Sequence, residues 1–300
     1  GQIDPASSTA GSYTVTYTIA AAGRCNAVNA TTTVTVNAID NPAFNYALPT
    51  MCQTGTDQSA VITGGATGTF TANPAGLVFL NANTGLIDVS ASAINSYTIT
   101  FTTNGTCPAS SNFAITLTSA PDATFGYAGP YCSDGADPTP TFIAGASAGT
   151  FSAVPAGLVF VSTTTGQIDV SASTAGTYTV TNNIAAAGGC AAATANASVT
   201  ITALPTASIS YTGSPWCTNA GVQTATLTGT GAYTGGAYTV NPTTGLTIDA
   251  ATGQIDPATS TAGTYTVTYT TPASGGCAAV TATASVTITA LPTASISYTG

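Results

Sequence analysis

Apolar and polar residues alternate along this chain with a period of two. Tyr265, Val267 and Tyr269 share one side of a run, and Thr266, Thr268 and Thr270 the other. The same alternation holds at Tyr13, Val15 and Tyr17 and at Tyr97, Ile99 and Phe101. It predicts strands with one buried face and one wet face. Tyr178 and Val180 continue the pattern, but Asn182 stands where a third apolar residue is expected. Between Pro205 and Ala290 strand-like runs occur at 207–211, 224–228, 237–240, 246–248, 254–255, 265–270 and 284–289. Clusters such as Gly229-Thr-Gly231, Asn241-Pro-Thr-Thr-Gly245 and Ser274-Gly-Gly276 separate them. Seven short strands with turn chemistry at this spacing predict an all-β sandwich of the immunoglobulin type. No stretch sustains an apolar period of 3.6, so essentially no helix is expected.

The pattern repeats as a unit. Gly253–Thr270 recurs at Gly1–Thr18 with 16 of 18 residues the same, and Gly-x-Ile-Asp tags start at Gly1, Gly85, Gly166 and Gly253. The spacing of 81 to 87 residues suits one small sandwich per repeat. Cutting at Pro42, Pro121, Pro205 and Pro292 predicts the second half of a repeat over 1–41, whole repeats over 42–120, 121–204 and 205–291, and the start of another over 292–300. Residues 197–213 equal residues 284–300, so the chain is expected to be a window on a longer polypeptide. The last strand of each repeat runs through a Thr-x-Ala-Leu-Pro type of junction into the next, which predicts a stiff array. At ~3.3 Å per strand residue each repeat would span on the order of 35–40 Å, and the array would be a rod.

Charge narrows the function. The chain has no Lys, Glu or His, one Arg and ten Asp, for a net charge of −9. Only 4% of residues are charged, where ~25% is usual, so solubility must rest on hydroxyls and amides. With no basic patch to neutralise phosphates, nucleic acid is excluded as a partner, and anionic membrane surfaces are disfavoured. No apolar run approaches the ~20 residues that span a bilayer.

Gly245-Leu-Thr-Ile-Asp-Ala-Ala-Thr-Gly-Gln-Ile-Asp256, followed by Ala262-Gly-Thr-Tyr-Thr-Val267, resembles the immunoglobulin-like and cadherin-like repeats of giant bacterial surface proteins. The added cysteines, one after the first strand and one in Gly-Gly-Cys277, resemble repeats of type IX-secreted surface adhesins of the Bacteroidota, including gliding adhesins. The resemblance covers the whole chain. It implies an extracellular, cell-anchored filamentous protein that contacts surfaces or polysaccharide. The acidic calcium motifs of cadherin junctions, built on Glu and paired Asp, have no counterpart here.

Catalysis lacks its usual proton-transfer groups, leaving Asp, Tyr and Cys. The paired carboxylates Asp249 with Asp256 and Asp134 with Asp137 do not recur at matching positions, so no hydrolase is expected. Asp4, Asp88, Asp169 and Asp256 do recur. One acid per repeat suits a turn whose N–H groups it accepts, rather than calcium, which wants six to eight oxygens. The loop Ser133–Asp137 is likewise read as solvated, and no metal or cofactor is expected. Tyr13, Tyr97, Tyr178 and Tyr265 are placed like the tyrosine corner of sandwich folds. Met51, Tyr131 and Trp216 occupy one position before a cysteine. A packing plug between repeats is preferred there to a sugar-stacking platform, because Met51 breaks the aromatic set. The sequons at Asn29, Asn104 and Asn196 carry little weight in a bacterial protein.

Seven cysteines fall into two classes and imply an oxidising, extracellular setting. Cys52, Cys132 and Cys217 follow the first strand, and Cys25, Cys107, Cys190 and Cys277 precede the last. Pairing within repeats would join Cys52 with Cys107, Cys132 with Cys190 and Cys217 with Cys277. Seven alternating strands put these positions at opposite ends of a sandwich, too far for bridged Cα atoms. Pairing across junctions, Cys52 with Cys190 and Cys132 with Cys277, is therefore favoured, with the within-repeat pattern still open. The reading is a non-catalytic stalk or filament segment of a secreted cell-surface adhesin, whose partners are further copies of its own repeat and surface polysaccharide or other surfaces. A self-assembling filament or surface-layer subunit and a polysaccharide-binding accessory module of a secreted enzyme are the rival readings.

Overall fold

The computed structural model describes residues 1–298, whose regular elements are all strands apart from one 3-10 turn at Pro257–Thr259. The first strands, β1 (Gly11–Ile19) and β2 (Val28–Val36), form an antiparallel hairpin. The next repeat carries β3 (Phe44–Asn45), β4 (Thr50–Cys52), β5 (Val61–Ile62), β6 (Gly68–Asn73), β7 (Val78–Asn81), β8 (Leu86–Asp88), β9 (Ser96–Thr103) and β10 (Ser110–Thr118). The third carries β11 (Phe125–Gly126), β12 (Tyr131–Cys132), β13 (Thr141–Phe142), β14 (Thr150–Val154), β15 (Val159–Ser162), β16 (Gln167–Asp169), β17 (Gly176–Ile184) and β18 (Ala193–Thr202). The fourth carries β19 (Thr206–Ser210), β20 (Trp216–Cys217), β21 (Thr226–Thr230), β22 (Ala237–Asn241), β23 (Gly263–Thr270) and β24 (Thr281–Thr289).

Each of these three repeats has a four-stranded sheet of one topology: β4-β10-β9-β6, β12-β18-β17-β14 and β20-β24-β23-β22. Short pairs, β3 with β5, β11 with β13 and β19 with β21, supply the opposing layer. Aromatic and β-branched residues of both layers meet in one core per repeat. In the second repeat Phe70 stacks on Phe101 at 4.5 Å and Phe44 meets Phe70 edge-on at 5.1 Å. Ile87, Ile99 and Phe101 are fully buried there.

The sequence reading missed that the first strand is split. Pro49, Pro130 and Pro215 interrupt it, because proline cannot donate to a ladder and allows the chain to leave one sheet for the other. The short second pieces β4, β12 and β20 then pair in parallel with the last strand, as Cys52 does with Thr118, Cys132 with Thr202 and Cys217 with Thr289. The second and third repeats therefore have eight ladder segments each rather than seven. The expected strand at 246–248 is reduced to a single Ile248–Ile255 bridge.

The solvent face explains how so few charges suffice. Hydroxyls pair across strands at Ser12–Thr35, Ser96–Thr116, Thr177–Thr200 and Thr264–Thr287, at 3.0–3.3 Å. Such ladders stabilise neighbouring strands and leave lone pairs for water. Asn182, the exception in the apolar pattern, is fully buried yet satisfied. Its Nδ2 donates to Ala123 O (2.9 Å) and Ser147 O (3.0 Å), and its Oδ1 accepts from Gly149 N (2.8 Å).

The contacts group the chain into two compact units. One is Gly1–Pro121 with Ala185–Ala193, and the other is Asp122–Ile184 with the chain from Thr194 onward. The loop Ala185–Ala193 thus belongs by its contacts with the repeat that precedes its own.

Candidate functional site

The recurrent acids and tyrosines make short-range hydrogen bonds within their own repeats. Asp88 Oδ1 accepts from Ser90 Oγ (2.8 Å) and Ala91 N (2.9 Å), and its carbonyl accepts from Ser92 Oγ (2.6 Å). Asp169 repeats these contacts with Ser171, Ala172 and Ser173. Asp4 accepts from Ala6 N, and Asp256 from Ala258 N, each at 3.0 Å. The amide of Ala91 and then the hydroxyl of Ser90 hold Asp88 below the ordinary carboxylate range, and Ala172 and Ser171 do the same for Asp169. Both carboxylates are committed to turns. Tyr13, Tyr97, Tyr178 and Tyr265 each donate to the carbonyl four residues earlier, on Thr9, Ala93, Thr174 and Thr261, at 2.6–2.9 Å.

A second tyrosine set went unread in the sequence. Tyr46 and Tyr211 donate to the carbonyls of Gly85 and Gly253 at 2.6 Å, and Tyr127 donates to that of Gly166. These are the glycines that open the Gly-x-Ile-Asp tags, so each first segment is fastened to the tag of its own repeat. Burial raises the pKa of all three tyrosines. The signal was available as a tyrosine at one place in each first segment. Asp57 was also missed, and Asp137, read as part of a solvated loop, has a partner as well; they accept from Val89 N and Val170 N at 3.0 Å.

Met51, Tyr131 and Trp216 correct the plug expectation. Met51 and Trp216 are buried in the cores of their own repeats, and Tyr131 packs against its own. Trp216 meets Tyr211 edge-on at 6.1 Å and donates Nε1–H to Thr212 O. The parallel pairing of β20 turns this face inward.

The cysteines are the chemically distinctive groups. Cys52 is bonded to Cys190 with Cα atoms 4.8 Å apart, and Cys132 to Cys277 at 4.7 Å. Parallel pairing places Cys52 beside Thr118, at the C-terminal end of β10, whereas Cys107 precedes the start of that strand. Nine residues at ~3.3 Å separate these ends by roughly 30 Å, far beyond the ~7 Å limit for bridged Cα atoms. Each incoming cysteine lies in a hairpin loop shaped by two glycines. Gly188 and Gly189 have φ of 59° and 76°, and Gly275 and Gly276 have 59° and 82°. Two successive left-handed residues fit glycine alone without strain. A Cβ on Gly189 would lie 2.7 Å from Thr50 O, and one on Gly276 would strike Pro130 O. The loop's backbone therefore rests directly on the strand that carries the partner cysteine. Thr118 Oγ1 donates to Gly188 O at 2.6 Å.

Cys132, Asp134 and Cys277 place one ligand atom each within 4.8 Å, the one such group among the described residues. Both sulfurs are already spent in a disulfide, so a single carboxylate remains, too few donors for a metal centre. Cys25, Cys107 and Cys217 are unbonded.

No protein-family model and no curated protein matches the chain. Among solved structures it is similar to repeats 21–23 of human cadherin-23, at 12% identity over 80% of this chain and 96% of that one, with a TM-score of 0.40. It is also similar to repeats 22–24 of mouse cadherin-23, at 13% over 84% and 100% (TM-score 0.30). Drosophila N-cadherin repeats 1–4 match at 11% over 93% and 83% (TM-score 0.32). These neighbours are tandem repeats of extracellular β-sandwich domains.

Proposed function

We propose that this chain is a non-catalytic segment of the stalk of a secreted surface adhesin, of the kind exported by the type IX route in Bacteroidota and used in attachment or gliding. Its units are the repeats 42–120, 121–204 and 205–291, with 1–41 and 292–300 belonging to flanking repeats. The observation that carries the reading is the pair of bridges, each joining the end of one repeat to a loop of the next. A covalent bond across a junction serves a molecule that transmits force along its length, and it needs the oxidising conditions outside the cytoplasm. Supporting it, the recurrent acids are engaged in turns, and the chain holds no His, Glu or Lys for proton transfer. Its partners on this reading are further repeats of its own kind, with polysaccharide or another outer surface as the target of the whole adhesin. Small-angle scattering tests it: an elongated particle is expected, and a radius of gyration near the ~19 Å of a compact 300-residue domain would refute it.

A further inference from the structure

The hairpin β1–β2 has the sequence of a core element and the exposure of a surface one. Tyr13, Val15 and Tyr17 are 43%, 41% and 69% exposed, whereas Tyr265, Val267 and Tyr269, in the 16-of-18 identical copy, are 4%, 0% and 1% exposed. In the fourth repeat those side chains are covered by residues of 205–248, including Ile209, Trp216, Tyr238 and Leu246. Among the described residues both edges of the hairpin are also unpaired. In the fourth repeat the strand equivalent to β1 is flanked by β22, and the one equivalent to β2 by the short parallel β20. Beside the hairpin a hollow of about 250 Å³ is lined by Ile3, Tyr13, Val15, Val34 and Val36.

A second observation, independent of the apolar face, marks the same place. Unbonded Cys107 has its Sγ 3.9 Å from Asn37 O, just past the end of β2. Cys277 Sγ stands in the same relation to Thr202 O, at 3.7 Å, and Thr202 is the residue opposite Cys132 in the parallel pair. A strand added in parallel to β2 would therefore bring its cysteine opposite Asn37 and within reach of Cys107.

We propose that this hairpin is an acceptor for the first half of one more repeat, a segment of the type of residues 205–252. Its β22-like strand pairs with β1, its β20-like strand pairs with β2, and its cysteine bonds to Cys107. In the bonding step the thiols of Cys107 and of the incoming cysteine give up two protons and two electrons. A small-molecule disulfide takes them up and leaves as two thiols. The inference rests on the tandem-repeat reading but not on the stalk reading, since an array of any shape would need the hairpin covered.

The test mixes the full chain carrying Cys217→Ser with an isotope-labelled fragment of residues 205–252 in a glutathione redox buffer. The expected result is a disulfide between the fragment's Cys217 and Cys107 in non-reducing peptide maps, with amide exchange in residues 11–36 slowed on the order of tenfold or more. Tyr17→Asp, at an exposed position outside the three whole repeats, abolishes both effects while exchange in 42–289 stays unchanged. Equal crosslinking to Cys25 and Cys107, or unchanged exchange in the hairpin, overturns the proposal. Scattering from the unmixed chain would still report on the stalk reading by itself.

Discussion

Removing the bridge between Cys132 and Cys277 is expected to cost the fourth repeat a large fraction of its stability. With the third repeat folded, Cys132 is held opposite Thr202 by the β12–β18 pairing. The segment that the bridge closes when only the fourth repeat unfolds therefore runs from Thr202 to Cys277, about 75 residues, rather than the full separation of 145. The chain-entropy relation gives ~4.5 kcal/mol for a loop of that length at 25 °C. A repeat of this size has a total stability on the order of 5–10 kcal/mol, so the loss is a large fraction of it. The perturbation is Cys132→Ser with Cys277→Ser, which removes both thiols and prevents reshuffling, and the assay is urea denaturation followed by Trp216 fluorescence. Trp216 is the sole tryptophan and lies in the core of this repeat, so the signal reports its unfolding directly. The expected result is a stability lowered by ~4 kcal/mol, seen as a lower midpoint, with a slope no smaller than the parent's because the unfolded chain without the crosslink is less compact. Cys217→Ser, at an exposed unbonded position, should leave the midpoint where it was. A double variant within ~1 kcal/mol of the parent would refute the reasoning, because the bridge would then close no loop that the folded third repeat leaves open.

Other outcomes follow from single contacts. Gly276→Ala puts a methyl group against Pro130 O and should leave Cys132 and Cys277 largely unbonded, read by thiol titration of the unfolded protein. Asn182→Val strands Gly149 N–H and two carbonyls in the core, and should destabilise the third repeat by about 2–4 kcal/mol in chemical denaturation. Asp88 and Asp169 have pKa values depressed by turn amides, so the stability they add is present above their unfolded pKa of ~3.9 and is lost as pH falls through the lower folded value. Denaturation midpoints measured from pH 6 to pH 2 should show that fall, reduced in the Asp88→Asn protein. Melting should be insensitive to chelator, and a drop of more than about 10 °C with EDTA would show that the acids hold a metal.

Period-two alternation made the central strands legible, because Tyr, Val and Ile facing Thr leave a sandwich strand few alternatives. The tyrosine corner was legible for a related reason: its hydrogen bond spans four residues and leaves a local mark. The split of the first strand was not. β20 is two residues long, and its parallel partner lies over 70 residues away, so nothing local announces it. Such parallel pairing turns Trp216 and, in β4, Met51 inward and defeats the plug expectation, which depended on which face of a two- or three-residue strand points out. Asn182 was visible as a break in pattern, but its three partners come from two segments distant in sequence, at Ala123 and at Ser147 and Gly149, and only the folded chain assembles them. The cysteine classes were plain in the sequence, while the roles of Gly189 and Gly276 needed the backbone of the neighbouring repeat.

Pulling single molecules by their two ends, with and without reductant, tests the force-bearing claim most directly. The two closed loops overlap, since Cys132 lies inside the first and Cys190 inside the second. The shortest covalent path from Cys52 to Cys277 then runs through both bridges and only about 58 residues of backbone, instead of about 225, at ~3.4 Å each. The account predicts an unfolded oxidised chain shorter than the reduced one by on the order of 550 Å, with the same difference in Cys217→Ser protein. Equal lengths in the two conditions, or a difference that shrinks by roughly 200 Å when Cys217 is replaced, would contradict it.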